Sequence, residues 1–172
     1  MGSMAVRRIL QLGDPMLRAV SQPVECPGHA ARVLADLRDT LHNFQTGHGF
    51  GRGISAVQIG IALRVIYMEF EGAAYSLLNP RFEGISSDTF FLWDDCFSFP
   101  NLMVKLRRSV SVRVSYQDEH GAARLLDVSG AFAELIQHEM DHLDGILSVD
   151  RALDRASFIT REEWLRQGRP PA

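Results

Sequence analysis

Residues 137–142 read Gln137-His138-Glu139-Met140-Asp141-His142. Positions four apart on a helix share one face, so the imidazoles of His138 and His142 can reach one metal ion. Glu139 follows the first histidine, within reach of a water activated by that metal. The pattern HExxH therefore points to metal-assisted hydrolysis of an amide-type bond. Its surroundings read as a helix over 130–143. Phe132, Leu135 and Ile136 form its core face, Ser129 is the expected N-cap and Gly145 the expected stop.

Working outward, Ser109–Tyr116 alternates strictly, with Val110, Val112, Val114 and Tyr116 on one face. A hairpin turn is expected at Asp118–Gly121, with the return strand over Arg124–Val128. Arg64–Phe70 reads as a strand, and Tyr75–Leu78 as another that runs into a turn at Asn79-Pro80. Residues 30–46 place Val33, Leu34, Leu37, Leu41 and Phe44 on one helical stripe. Gly47 and Gly49 are expected to end that helix, and Gly47–Gly53 to be loop. Asp14 and Pro15 read as the cap and first residue of a helical turn, and residues 155–167 as a short terminal helix. Helix, strands, helix is an α+β order, with antiparallel sheets packed around the central motif helix.

The length of 172 residues suits one domain over 4–172, with Met1-Gly2-Ser3 an expression scar before a native Met4. Hydrophobic and charged fractions of 46% and 23% are ordinary for a soluble globular chain. A net charge of −3 leaves no strong nucleic-acid footprint. With only Cys26 and Cys96, a disulfide scaffold is not expected and a reducing compartment fits. No apolar run is long enough to span a membrane, so the expected address is the cytoplasm.

A catalytic metal site usually takes three protein ligands and leaves one position open. Three sources for the third ligand compete. The HExxHxxGxxH pattern gains its glycine at Gly145 but fails at Ser148. A thermolysin-like glutamate is offered by Glu162 or Glu163. Upstream stands Cys96, within Trp93-Asp94-Asp95-Cys96-Phe97-Ser98-Phe99-Pro100. The residues alone leave the choice open.

Four segments together resemble the peptide deformylase family. Leu12-Gly13-Asp14-Pro15-Met16-Leu17-Arg18 is similar to its N-terminal signature. Gly51-Arg52-Gly53-Ile54-Ser55-Ala56-Val57-Gln58 resembles its motif GxGxAAxQ, with Ser55 for the first alanine. Asp94-Asp95-Cys96-Phe97-Ser98 resembles EGCLS, and Gln137–His142 matches QHExDH completely. The resemblance spans roughly residues 6–152. It implies that Cys96, His138 and His142 hold one divalent metal, Fe²⁺ in cells, with Zn²⁺, Ni²⁺ or Co²⁺ suiting the same donors. It implies Glu139 as general base, with the Gln58 carboxamide and the Phe97 backbone N–H as donors to the oxyanion. It places Gly53, Ile54, Asp95 and Phe97 at the substrate, an N-formylated peptide, either short or nascent at the ribosome.

Three positions depart from that pattern. Asp94 replaces a longer glutamate that pairs with an arginine in the family; Arg108 is the natural partner here and Arg107 the next. Asp95 replaces a glycine, and Arg52 an apolar residue. These charges leave two further readings open: an amidohydrolase acting on another N-formyl or N-acyl group, and a catalytically silent binding relative. If Asp95 faces the cleft, its charge is expected to oppose the developing oxyanion and to favour a cationic substrate.

Overall fold

The computed structural model describes residues 5–172, so the expected scar at 1–3 and Met4 lie outside the described residues. In chain order come α1 (Pro27–His48), β1 (Gly53–Ser55), β2 (Val65–Phe70), β3 (Ala73–Ile85), β4 (Thr89–Asp95) and β5 (Leu102–Ser109). They are followed by β6 (Ser111–Gln117), β7 (Ala123–Ser129), α2 (Gly130–Leu143), β8 (Phe158–Thr160) and α3 (Arg161–Arg166). Short 3-10 turns occupy Pro15–Arg18, Ala56–Ile59 and Ser148–Arg151. Two antiparallel sheets form, of order β1-β2-β3-β6-β7 and β4-β5-β8. This is the α+β architecture expected. No helix among the described residues is long and apolar enough to cross a membrane.

Strand β2 shows how the motif helix comes to be central. Its side chains alternate between the two faces of the sheet. Val65 and Tyr67 join the α1 stripe of Val33, Leu34, Leu37, Leu41 and Phe44 in one apolar cluster. Ile66 and Met68 join Phe132, Leu135, Ile136 and Leu143 of α2 in another. The larger sheet is thus covered by α1 on one face and α2 on the other. A third cluster gathers Leu17, Cys96, Phe99, Val104 and Leu147 beside the smaller sheet.

Several local expectations are corrected. Gly47 is helical, and α1 stops only where Gly49 turns left-handed at φ 75°. Gly53 is not loop but the first residue of β1. Asn79-Pro80 is no turn: β3 runs through it, with its register shifting between Leu78 and Arg81. Pro80 lacks an N–H, and such an irregularity tolerates the missing ladder bond. Val110 separates β5 from β6 and is exposed. Strands β1, β4, β5 and β8 had no counterpart in the sequence reading.

Asn79 adopts φ 52° and joins the N-terminal segment to the sheet. Its Oδ1 accepts from the Val24 N–H at 2.7 Å, and its Nδ2 donates to the Val24 carbonyl at 2.9 Å. Asn79→Ala should therefore cost about 2–3 kcal/mol in urea denaturation, since it strands two backbone groups. A loss below about 0.5 kcal/mol would show that this clasp contributes nothing.

Candidate metal centre

Helix α2 is buried on almost every side from Phe132 to Leu143, including Glu134, Gln137, His138, Glu139, Asp141 and His142. Gln137 ties the helix to the end of β5: its Oε1 accepts from the Ser109 N–H and its Nε2 donates to the Ser109 carbonyl, both at 2.9 Å. The next residue, His138, and His142 one turn further aim their Nε2 atoms at one point, 3.2 Å apart. Cys96, just past the end of β4, brings its Sγ to 3.3 Å from His142 Nε2. The ligand atoms of Cys96, His138 and His142 all lie within 4.8 Å of one another.

The donor set fits a divalent cation. Asp94 takes the His138 Nδ1 at 2.9 Å, which leaves the Nε2 lone pair for the cluster. Burial lowers the affinity of His138 for a proton, but Asp94 outweighs it and raises the imidazole well above its usual range. Burial and the charge of His138 drive His142 the other way, well below. Burial pushes the Cys96 thiol up, with His138 pulling against it. Two imidazoles and a thiol this close cannot all keep their protons, and a cation resolves the conflict. Neither glutamate offered as a third ligand belongs to this cluster: Glu162 and Glu163 both lie on α3, where the Glu163 carboxylate pairs with Arg166.

An outer shell of charge supports the histidines. Arg108, and not the exposed Arg107, pairs with Asp94 at 3.2 Å and with Asp141 at 2.5 Å. Asp141, a member of the motif itself, also receives Arg151 through two bonds of 2.5 Å. Nδ1 of His142 and Nε of Arg108 are buried with no partner among the described residues.

Glu139 sits beside this cluster. Burial pushes its carboxyl up to about 6, with His138 and Ser55 pulling down. The Ser55 hydroxyl, fully buried, donates to Glu139 Oε2 at 2.6 Å. Gln58 accepts the Ser55 N–H on its Oε1 at 2.9 Å, which fixes the amide. Its Nε2 then faces Ser98 Oγ at 3.3 Å and Cys96 Sγ at 3.7 Å. The Phe97 N–H has no acceptor among the described residues. A cavity of about 350 Å³ is lined by Gly53, Gln58, Cys96, Phe97, His138 and Glu139, with Arg52, Asp95 and Glu134 among its other walls.

A profile of the polypeptide deformylase family matches residues 6–157 and so spans every residue of this site. The chain belongs to the polypeptide deformylase family. It is 37% identical over 169 residues to a peptide deformylase of Phenylobacterium zucineum, covering 95% of each chain. It is 32% identical over 160 residues to peptide deformylase 2 of Clostridium perfringens, covering 92% of this chain and 100% of that one. Among solved structures it resembles peptide deformylase from Thermotoga maritima with a TM-score of 0.81 at 30% identity, over 87% of this chain and 99% of that one. It resembles equally a peptide deformylase of Synechococcus elongatus in complex with actinonin: TM-score 0.81, 29% identity, 98% and 94% covered.

Within that family frame, the expected substrate residues separate. Gly53 lines the cavity, and a Cβ there would stand 2.8 Å from Glu139 Oε1 and 3.1 Å from Leu135 Cδ1. Its glycine is thus explained by the carboxylate it touches, without appeal to a substrate. Ile54 is corrected: as the next residue of β1 it points the other way, into the α1 core, and lines no part of the cavity. Asp95 does line the cavity, but Arg161 pairs with it. The same guanidinium lies 3.8 Å over the Phe50 ring and bonds the Pro100 carbonyl at 2.7 Å. The charge expected to oppose an oxyanion therefore has its own counter-ion, supplied by a tail beyond the segments that carry the family resemblance.

Ser55 and Glu134 were missed. Ser55 could have been found as the polar departure in GxGxAAxQ, and Glu134 as the residue one turn before His138 on the same face. Arg108→Leu tests the outer shell. It leaves Asp94 and Asp141 in the interior without their shared cation and should cost about 3–5 kcal/mol in urea denaturation at neutral pH. A cost under about 1 kcal/mol would mean that the buried carboxylates do not depend on it.

Proposed function

We propose that this chain is one catalytic domain, a mononuclear metal-dependent hydrolase that removes the formyl group from the amino terminus of short or nascent peptides, formyl-methionyl peptides among them. Membership of the deformylase family supports the reaction class. The observation that supports the site assignment is the convergence of the ligand atoms of Cys96, His138 and His142, with Cys96, His138 and Glu139 on the wall of one cavity. Two free cysteines and a deformylase's need for newly made peptides support a cytoplasmic address, with chains at the ribosome as the cellular source of substrate.

Cys96, His138 and His142 would hold a divalent cation, which would supply Lewis acidity toward the formyl carbonyl and lower the pKa of water; the family preference is Fe²⁺, and Zn²⁺, Ni²⁺ and Co²⁺ suit the same donors. Asp94 holds His138 in the tautomer that this role needs. Glu139 takes the proton of the attacking water as the carbon–oxygen bond forms. It returns that proton to the amine as the carbon–nitrogen bond breaks, giving formate and a free amino terminus. Gln58 and the Phe97 N–H are the donors that meet the developing oxyanion. Ser55 and Gly53 bracket the Glu139 carboxylate, one by a hydrogen bond and one by leaving it room.

The three readings separate in one assay of metal content and formate release from formyl-Met-Ala-Ser. The hydrolase of formyl peptides binds metal and releases formate. A relative acting on other acyl groups binds metal and releases none, and a catalytically silent binding relative does neither; the buried Glu139 carboxyl argues against that last reading. Cys96→Ala should lose most of the metal measured by mass spectrometry, whereas Glu162→Gln should keep it. Glu139→Gln should keep the metal and lose at least ~10²-fold in kcat. Near-normal turnover in that variant would place the base elsewhere.

A further inference from the structure

The cavity wall beyond the metal ligands is charged where a wall receiving an aliphatic side chain has no need of charge. Arg52 Nη2 pairs with Glu134 Oε2 at 2.7 Å, and Arg52 Nη1 bonds the Ala131 carbonyl at 3.2 Å. The Glu134 side chain is only 6% exposed, while that of Arg52 is 42% exposed. Both residues line the same cavity as Gln58, His138 and Glu139. Glu134 lies one turn before His138, and its carboxylate comes within 4.8 Å of ligand atoms of His138 and Asp94. Arg52 is the neighbour of Gly53, which touches Glu139. The pair is therefore within one side-chain length of the reacting centre. A group branching from the carbon next to the formamide nitrogen can therefore reach it.

Building on the deformylase reading above, we propose that the Arg52–Glu134 pair sets substrate choice, favouring a formyl peptide whose first side chain is polar, uncharged and of amide type over one whose first side chain is methionine. Four considerations support the choice. An apolar side chain laid on the pair strips water from the half-exposed guanidinium and gives nothing back. A charged side chain of either sign meets its like charge in the pair, and the other carboxylates of the cavity are engaged: Arg108 holds Asp94, Arg161 holds Asp95, and the Ser55 hydroxyl bonds Glu139. A primary amide has an acceptor for Arg52 and a donor for Glu134, whose Oε1 has no hydrogen-bond partner among the described residues. Leu135 and Phe97, both buried and lining the cavity, cover the methylenes of such a side chain. A site that hydrogen-bonds its substrate discriminates strongly against an analogue of equal size that cannot bond.

Glutamine and methionine are close in length, so the test compares formyl-Gln-Ala-Ser with formyl-Met-Ala-Ser on the metal-loaded protein, with formyl-Lys-Ala-Ser and formyl-Glu-Ala-Ser alongside. The variant is Arg52→Leu with Glu134→Leu, because exchanging both partners leaves neither member of the pair behind as an unpaired charge and should leave the fold intact. The wild type should favour the glutaminyl over the methionyl peptide at least ~10-fold in kcat/KM and turn over both charged peptides more slowly than the glutaminyl one. The double variant should invert the preference toward methionine, with metal content unchanged. Equal glutamine-to-methionine ratios in the two proteins would overturn the proposal, as would a wild type that favours methionine or the lysyl peptide. Absence of formate from every formyl peptide would instead overturn the deformylase reading, and the proposal with it.

Discussion

Helix α2 carries six polar side chains into the interior, and each must find a partner there. A buried polar group left unpaired costs roughly 2–7 kcal/mol, more when charged. Almost every neighbouring feature answers to that constraint. Strand β5 supplies Ser109 for Gln137 and Arg108 for Asp141; β4 supplies Asp94 for His138. The residues just before and at the end of β1 supply Arg52 for Glu134 and Ser55 for Glu139. The apolar contacts of Phe132, Leu135, Ile136 and Leu143 hold the helix in place, and the polar set fixes its rotation and register.

The outcome is a continuous line of charge. It runs from Arg151 through Asp141, Arg108 and Asp94 to His138, with Arg52 and Glu134 alongside. Its effect is orientation: fixed hydrogen bonds hold the His138 imidazole, and for the reaction proposed little reorganisation of that ring would remain. His142 is the exception, since its Nδ1 has no protein partner among the described residues. Its orientation rests on packing and on what its Nε2 binds.

Much of this was legible in the sequence, for identifiable reasons. The span of α2 followed from its apolar period and the residues at its ends. The proposed ligands could be named because two histidines four apart leave few alternatives, and the resemblance to a known family pointed to the third. Strand β5 was not legible because Arg108 stands at a core position, where an alternating pattern has no place for a charge. Asn79-Pro80 misled because a turn-forming pair was accommodated as an irregularity inside β3. The counter-ion of Asp95 was invisible because Arg161 lies 66 residues away. No local rule connects the two, and only the pairing of β5 with β8 brings that tail to the cavity.

The central claim is that one sulfur and two imidazole nitrogens of this chain hold a single cation. X-ray absorption on the zinc-loaded protein tests it most directly. One sulfur at about 2.3 Å and two nitrogens at about 2.0–2.1 Å are the expected ligands, completed by light atoms. A shell of nitrogen and oxygen alone, with no sulfur, would remove Cys96 from the centre and contradict the account.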